Sequence, residues 1–143
     1  MAILPDDVIL NKSAVIERAL RRMREEYAFD PELKSFTHID AMTLNIERAA
    51  QAAIDLAMHL VSRDRLGAPQ TSGDAFRLLA AAGVISQDTL RAMTAMIAFR
   101  NIAVHEYQEM DLSVLRNIAG DRWRSLVDYC AELGITIVVN DER

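Results

Sequence analysis

The chain has 143 residues, 51% of them apolar, with five glycines, three prolines and one cysteine. That is the size of one domain, with enough apolar mass for a core, and it excludes an internal disulfide. The formal charge of −5 argues against non-specific binding to nucleic acid. The positive charge is 14 arginines and two lysines, however, so a local arginine-lined cleft for carboxylate or phosphate stays open.

Long stretches of Ala, Leu, Met, Ile, Glu and Arg predict an all-α domain over residues 1–143, with about five helices. The first helix runs from about Asp6 to Tyr27, and Arg18, Arg21, Arg22 and Arg24 give it a basic face that reads as solvated and salt-bridged, with contact to RNA or to a protein partner as the lesser alternative. AFDPELKSF is a break or a short turn, in which Asp30 and Pro31 look like an N-cap and first-turn pair. The second helix runs from about Thr37 to Leu66. Ile39, Met42, Ile46, Ala49, Ala53, Leu56 and Leu60 form a heptad-like seam on it, beside a second stripe of Ala50, Ile54, Ala57 and Val61. Two apolar faces predict packing on two sides.

GAPQTSG at 67–73 is a loop, with Gly67 capping the long helix and Pro69 preventing its continuation. Ser72 or Asp74 opens a short third helix that ends at Gly83. Ser86 caps the fourth, from about Gln87 to Tyr107, and QEMD at 108–111 connects it to a fifth, from about Leu112 to Leu133. Trp123 and Tyr129 on that last helix read as core or interface, and His59 pairs in a structural hydrogen bond, with Asp55 on its own helix face as one partner. The tail at 134–143 contains ITIVV, which fits a strand on a sheet edge, an arm onto a partner, or an extended segment packed on the bundle. No apolar run reaches the roughly 20 residues of a membrane span. One cysteine and no signal peptide fit a cytoplasmic protein. No cluster has zinc spacing, so no metal is expected, and no Gly-rich loop follows a strand.

The fourth helix holds the stretch that departs from this ordinary pattern, RNIAVHEY at 100–107. Leu90, Met93, Ile97, Arg100, Val104 and Tyr107 follow one another by threes and fours, so Arg100 takes a place in an apolar seam. A guanidinium there is either paired with an acid, Glu47 or Asp55 on the long helix, or waits in a cleft for an anion. His105 lies five residues on, about 140° around the helix, and Asn101 shares a face with it. Tyr107 returns to the Arg100 side. An arginine for non-bridging oxygens and a histidine for proton transfer suit a phosphodiester.

RNIAVHEY resembles the Arg-x4-His-x-Tyr motif of HepT, the toxin half of HepT–MntA toxin–antitoxin pairs and a member of the HEPN superfamily of helical ribonucleases. IERAAQAAIDLAMHLV at 46–61 and GDAFRLLAAAGVI at 73–85 resemble the family's long helix and the segment before its motif helix. The resemblance spans about residues 8 to 133. It implies an antiparallel HEPN bundle that works as a homodimer, with the motif helices of two subunits forming one cleft. It implies a metal-independent endoribonuclease of a type VII-like toxin–antitoxin system, needing no cofactor of its own. Arg100 and His105 are then the catalytic pair, Asn101 a supporting residue, and Glu47 and Asp55 candidates for orienting Arg100. The substrate is RNA, with tRNA among the choices. The antitoxin is a MntA-like nucleotidyltransferase that uses ATP to place AMP on Tyr107. The alternative is a non-catalytic bundle that binds substrate for, or regulates, such a nucleotidyltransferase.

Overall fold

The first five α-helices each begin where a short polar side chain holds a free amide. Asp6, on extended backbone, accepts from the Ile9 amide at 2.9 Å and opens α1, Asp7–Phe29. Ser35 opens α2, Phe36–Arg63; Thr71 opens α3, Ser72–Ala81; Ser86 opens α4, Gln87–His105. A single 3-10 turn, Tyr107–Glu109, leads to α5, Leu112–Asn117, a π turn, Ile118–Arg122, and α6, Arg124–Glu132. The computed structural model describes residues 3–139, and these contain no strand.

α1 and α2 form an antiparallel hairpin along their whole length. Lys12 meets Asp55 at 3.2 Å, and at the other end the His38 ring lies 2.5 Å from Glu26. Both predicted stripes of α2 are buried throughout. The reason is that α1 covers one side of α2 while α3 and α4 cover the other. Each large apolar side chain sealed there, such as Ile46, Leu56 or Leu60, contributes roughly 1.5–3 kcal/mol of burial. The alanines between them let the neighbouring backbones approach.

Three expectations change. Asp30 and Pro31 do not open a helix: Asp30 closes α1, and its carboxylate turns forward to accept the Lys34 and Ser35 amides at 2.9 and 2.8 Å. The fifth helix is one rod with a π turn in it, which divides it into α5 and α6. Arg24 leaves the solvated basic face to serve that turn. It donates to the Ala119 carbonyl at 2.6 Å, and its guanidinium lies 5.2 Å from the centre of the Trp123 ring. Gly120 sits where a Cβ would come within 3.1 Å of the Tyr27 hydroxyl. Trp123 and Tyr129 are both core, 3% and 0% exposed.

The tail takes the last of its three expected forms as far as residue 139. Gly134, at φ +87, ends the helical run. Extended backbone then lies on α1: the Val138 amide donates to Glu17 at 2.7 Å, Arg21 donates to the Val138 carbonyl at 2.8 Å, and Ile137 is buried. Residues 140–143 lie outside the described part.

Candidate active site

The core selects a different face of α4 from the one its sequence spacing singled out. Thr89, Met93, Met96, Phe99 and Ala103 are the buried positions. Of the predicted seam only Met93 is among them; Leu90, Ile97 and Arg100 are half-buried, and Val104 and Tyr107 are 43% exposed. α4 is apolar on two adjoining faces, and the face carrying Phe99 fills the bundle. Arg100 therefore lies at the rim of the α2–α4 contact, one face round from the core, and opens to solvent.

No acid pairs with Arg100 among the described residues. Its Nη2 donates to Gln51 Oε1 at 2.7 Å, and its Nη1 donates to Asn101 Oδ1 at 3.1 Å. Gln51 Nε2 in turn donates to Asp55 Oδ1 at 2.9 Å, and Lys12 Nζ donates to the other oxygen of Asp55 at 3.2 Å. Asp55 thus reaches Arg100 only through an amide. Glu47 feels Arg100 through space without bonding it. Burial pushes its carboxyl above the usual range, and the Arg100 charge draws it part of the way back. Of the two readings of Arg100, the direct pair with Glu47 or Asp55 is not the one formed: a neutral amide holds the guanidinium. Gln51 was missed in the sequence, although it stands four residues after Glu47 and four before Asp55, on the same face of α2.

His105 is the last residue of α4 and exposed, and its ring makes no hydrogen bond or ion pair among the described residues. Past it, the Glu106 amide closes the helix on the Ile102 carbonyl at 2.8 Å. The 3-10 turn then swings Tyr107 back over α2, where its hydroxyl donates to Asp40. That bond, with partial burial and the nearby charges of Asp40 and Glu47, pushes the phenol up to about 12. Asp40 is the second residue the sequence reading passed over. The predicted Asp55–His59 pair also has another arrangement, since His59 Nε2 lies 2.7 Å from Asp6 across the hairpin. Arg100, Asn101, His105 and Tyr107 all stand at the open end of α4, with Gln51 and Asp40 beneath them. Such a set can hold an anion and move a proton. Among the described residues no group of three or more His, Cys, Asp or Glu side chains is arranged for a metal, and no helix is long and apolar enough to cross a membrane.

An all-α bundle presenting an Arg-x4-His-x-Tyr motif at a helix end is of the HEPN class. The family model described as ribonuclease HepT-like matches residues 15–133, and the chain belongs to that family. It is 39% identical over 114 residues to the mRNA nuclease HepT of Shewanella oneidensis, across 79% of this chain and 86% of that one. The solved structure of the tri-AMPylated Shewanella oneidensis HEPN toxin in complex with MNT antitoxin superposes with a TM-score of 0.86 at 33% identity, covering 91% of this chain and 98% of the other. A toxin–antitoxin crystal structure with AMP-PNP gives a TM-score of 0.85 at 32% identity, over 90% of this chain and 99% of that one. The cytosolic Bacillus subtilis protein YutE, at 16% identity and a TM-score of 0.76 over 94% and 91% of the two chains, shares the fold.

Proposed function

We propose that this chain is the toxin of a toxin–antitoxin pair, an endoribonuclease whose cleft is completed by a second copy and which a nucleotidyltransferase silences by placing AMP on Tyr107. The observation that carries this reading is the free presentation of Arg100 and His105 on one open helix end, with Arg100 held by an amide instead of an acid. A paired guanidinium would be a structural ion pair, whereas this one keeps its full charge for phosphate.

The chemistry follows from those groups. The ribose 2′-oxygen attacks the adjacent phosphorus and the bond to the 5′-oxygen breaks, leaving a 2′,3′-cyclic phosphate and a free 5′-hydroxyl. His105 takes the proton from the 2′-hydroxyl, and a second histidine returns one to the leaving oxygen. Arg100 stabilises the charge that builds on the non-bridging oxygens. One imidazole cannot do both proton transfers in a single pass, so two motif helices facing each other fit the chemistry. Ile102 and Val104, 39% and 43% exposed on either side of Ala103, offer apolar surface for that pairing. None of these steps calls on a metal or a cofactor.

Tyr107 stands two residues past His105 with an exposed ring, so AMP joined to its oxygen would put a phosphate and a nucleoside over the cleft. The relative solved as a tri-AMPylated toxin with its antitoxin supports this reading, as does the relative named as an mRNA nuclease. Both weigh against a purely regulatory bundle.

The test is expression of the chain without a nucleotidyltransferase, with growth and RNA integrity followed, beside His105→Ala and Tyr107→Phe. RNA cleavage lost in the His105 variant, with its helical content kept, is the expected result. Identical RNA patterns from wild type and that variant would overturn the nuclease. With the nucleotidyltransferase and ATP present, a mass gain in AMP units is expected for wild type and not for Tyr107→Phe.

A further inference from the structure

We propose that the cleft between α1 and α2 centred on Arg18 and Arg48 is a second phosphate-binding site, which grips single-stranded RNA a short way along the strand from Arg100. The proposal deepens the nuclease reading and rests on it.

The cleft has a volume of about 530 Å³ and is bordered by Arg18, Arg21, Arg22, Arg48, Asn45 and Glu25. Four guanidiniums thus face one carboxylate in a chain whose net charge is −5. Two of the four are already engaged: Arg21 with the Val138 carbonyl and Glu17, Arg22 with Glu25 and Glu26. Arg18 and Arg48 have neither a hydrogen bond nor an ion pair among the described residues. They come from two different helices and converge on one opening. Arg77, Arg91 and Arg124, by contrast, pair with acids three residues earlier on their own helices.

Its position decides what it holds. Arg48 precedes Gln51, the residue that bonds Arg100, by three residues, which is about 4.5 Å along the helix axis and about 60° around it. The face of α2 with Glu47, Gln51 and Asp55 is bordered by α4 and Arg100 on one side and by α1 and Arg18 on the other. An RNA strand carries a phosphate at every nucleotide, so a strand anchored at Arg100 and laid across α2 brings a neighbouring phosphate to the cleft. Val15 and Ala19 supply a small apolar floor that a ribose face can cover. An acidic peptide would answer the charge alone. A polyanion already held at Arg100 answers both the charge and the location, and is favoured for that reason.

The experiment compares wild type with the double substitution Arg18→Ala and Arg48→Ala in the full chain. Binding of a fluorescent single-stranded RNA is followed by anisotropy over a range of salt, using His105→Ala as background so that no strand is cut. The double substitution is expected to weaken binding on the order of tenfold. It should also reduce the slope of log affinity against log salt by about 1 to 2, one contact for each arginine removed. In the cleaving protein the loss should fall on KM and shrink as the RNA is shortened, because a dinucleotide at Arg100 does not reach the cleft. Neither side chain has a partner to lose, so the thermal transition should hold its place. An unchanged affinity and salt slope would overturn the proposal. So would unchanged RNA binding together with weakened capture of the nucleotidyltransferase, which would make the cleft a protein-docking surface. The anisotropy measurement needs no catalysis, so a failure of the nuclease reading would be seen separately, in the absence of cleavage by wild type.

Discussion

Arg100 and Gln51 are joined by a 2.7 Å hydrogen bond across the α2–α4 rim, and Gln51 is itself fixed by Asp55. The amide aims the guanidinium without neutralising it. A glutamate at that place would do both, and would compete with phosphate for the same fork. The carboxylate of Asp55 is kept one residue away, where Lys12 partly balances it.

Gln51 should therefore act as a positioning residue, and its two simplest substitutions should fail differently. Gln51→Leu removes the acceptor, and kcat should fall on the order of 10- to 100-fold through misplacement of Arg100. Gln51→Glu keeps an acceptor and adds a charge, so its loss should appear mainly as a raised KM for RNA. Steady-state cleavage across RNA concentrations separates the two. Wild-type constants in both variants would show that Arg100 needs no such support.

How much of this was legible follows from where each residue's partner lies. The two stripes of α2 could be read because their partners are everywhere apolar and the period alone defines the faces. The caps Ser35, Thr71 and Ser86 serve amides of their own helices, and Ser86 was identified as one from sequence. On α4 the same procedure picked the wrong face, since Leu90–Ile97–Val104 and Met93–Met96–Phe99 are equally apolar and only packing against the neighbouring helices chooses between them. Gln51, Asp40 and Arg24 were hidden for a related reason: each acts on a residue 49, 67 or 95 positions away. The motif itself was visible as residues, while its second layer was not.

The Tyr107–Asp40 bond should be measurable by ultraviolet titration, with Tyr107→Phe as the difference reference. The phenol is pushed up to about 12, first by the hydrogen bond to Asp40, then by partial burial and by the charges of Asp40 and Glu47. A raised pKa means that the fold favours the protonated phenol. Whatever stability the bond adds is present below the ordinary value near 10 and is lost as pH climbs toward 12. Asp40→Asn should bring the Tyr107 transition down toward 10. A transition that stays near 12 in that variant would assign the shift to burial.

Acid should attack the α1–α2 hairpin at Asp6. Its carboxylate accepts from the Ile9 amide and also meets His59 and Arg63 at 2.7 and 2.9 Å, and these contacts hold its pKa well below the usual carboxylate range. The sign is that of a depressed acid: the contribution is present above about pH 4 and disappears as pH falls further. Asp6→Asn keeps a good N-cap and gives up the charge. Its helical signal at neutral pH should be weaker against urea than that of wild type, and the gap should close as both are taken below pH 4. A gap that persists at low pH would mean that the asparagine disturbs the cap itself.

Tyr129 tests the core where α6 meets α2. Its side chain is fully buried, its ring meets Phe76 edge-on at 5.5 Å between centres, and its hydroxyl donates to the Ala53 carbonyl at 3.0 Å. Burial holds the phenol protonated far above its ordinary value, so the hydroxyl is a donor at every physiological pH. Ala53 belongs to the seam of α2, and its carbonyl keeps its place in the helix when the phenol is gone. Tyr129→Phe therefore removes one buried hydrogen bond and leaves the packing, for a cost of about 1 kcal/mol. Tyr129→Ala removes the ring as well and should cost about 3–5 kcal/mol. Urea unfolding followed by circular dichroism gives both values. Equal costs for the two substitutions would mean that the ring contributes nothing beyond its hydroxyl, which the Phe76 contact and complete burial exclude.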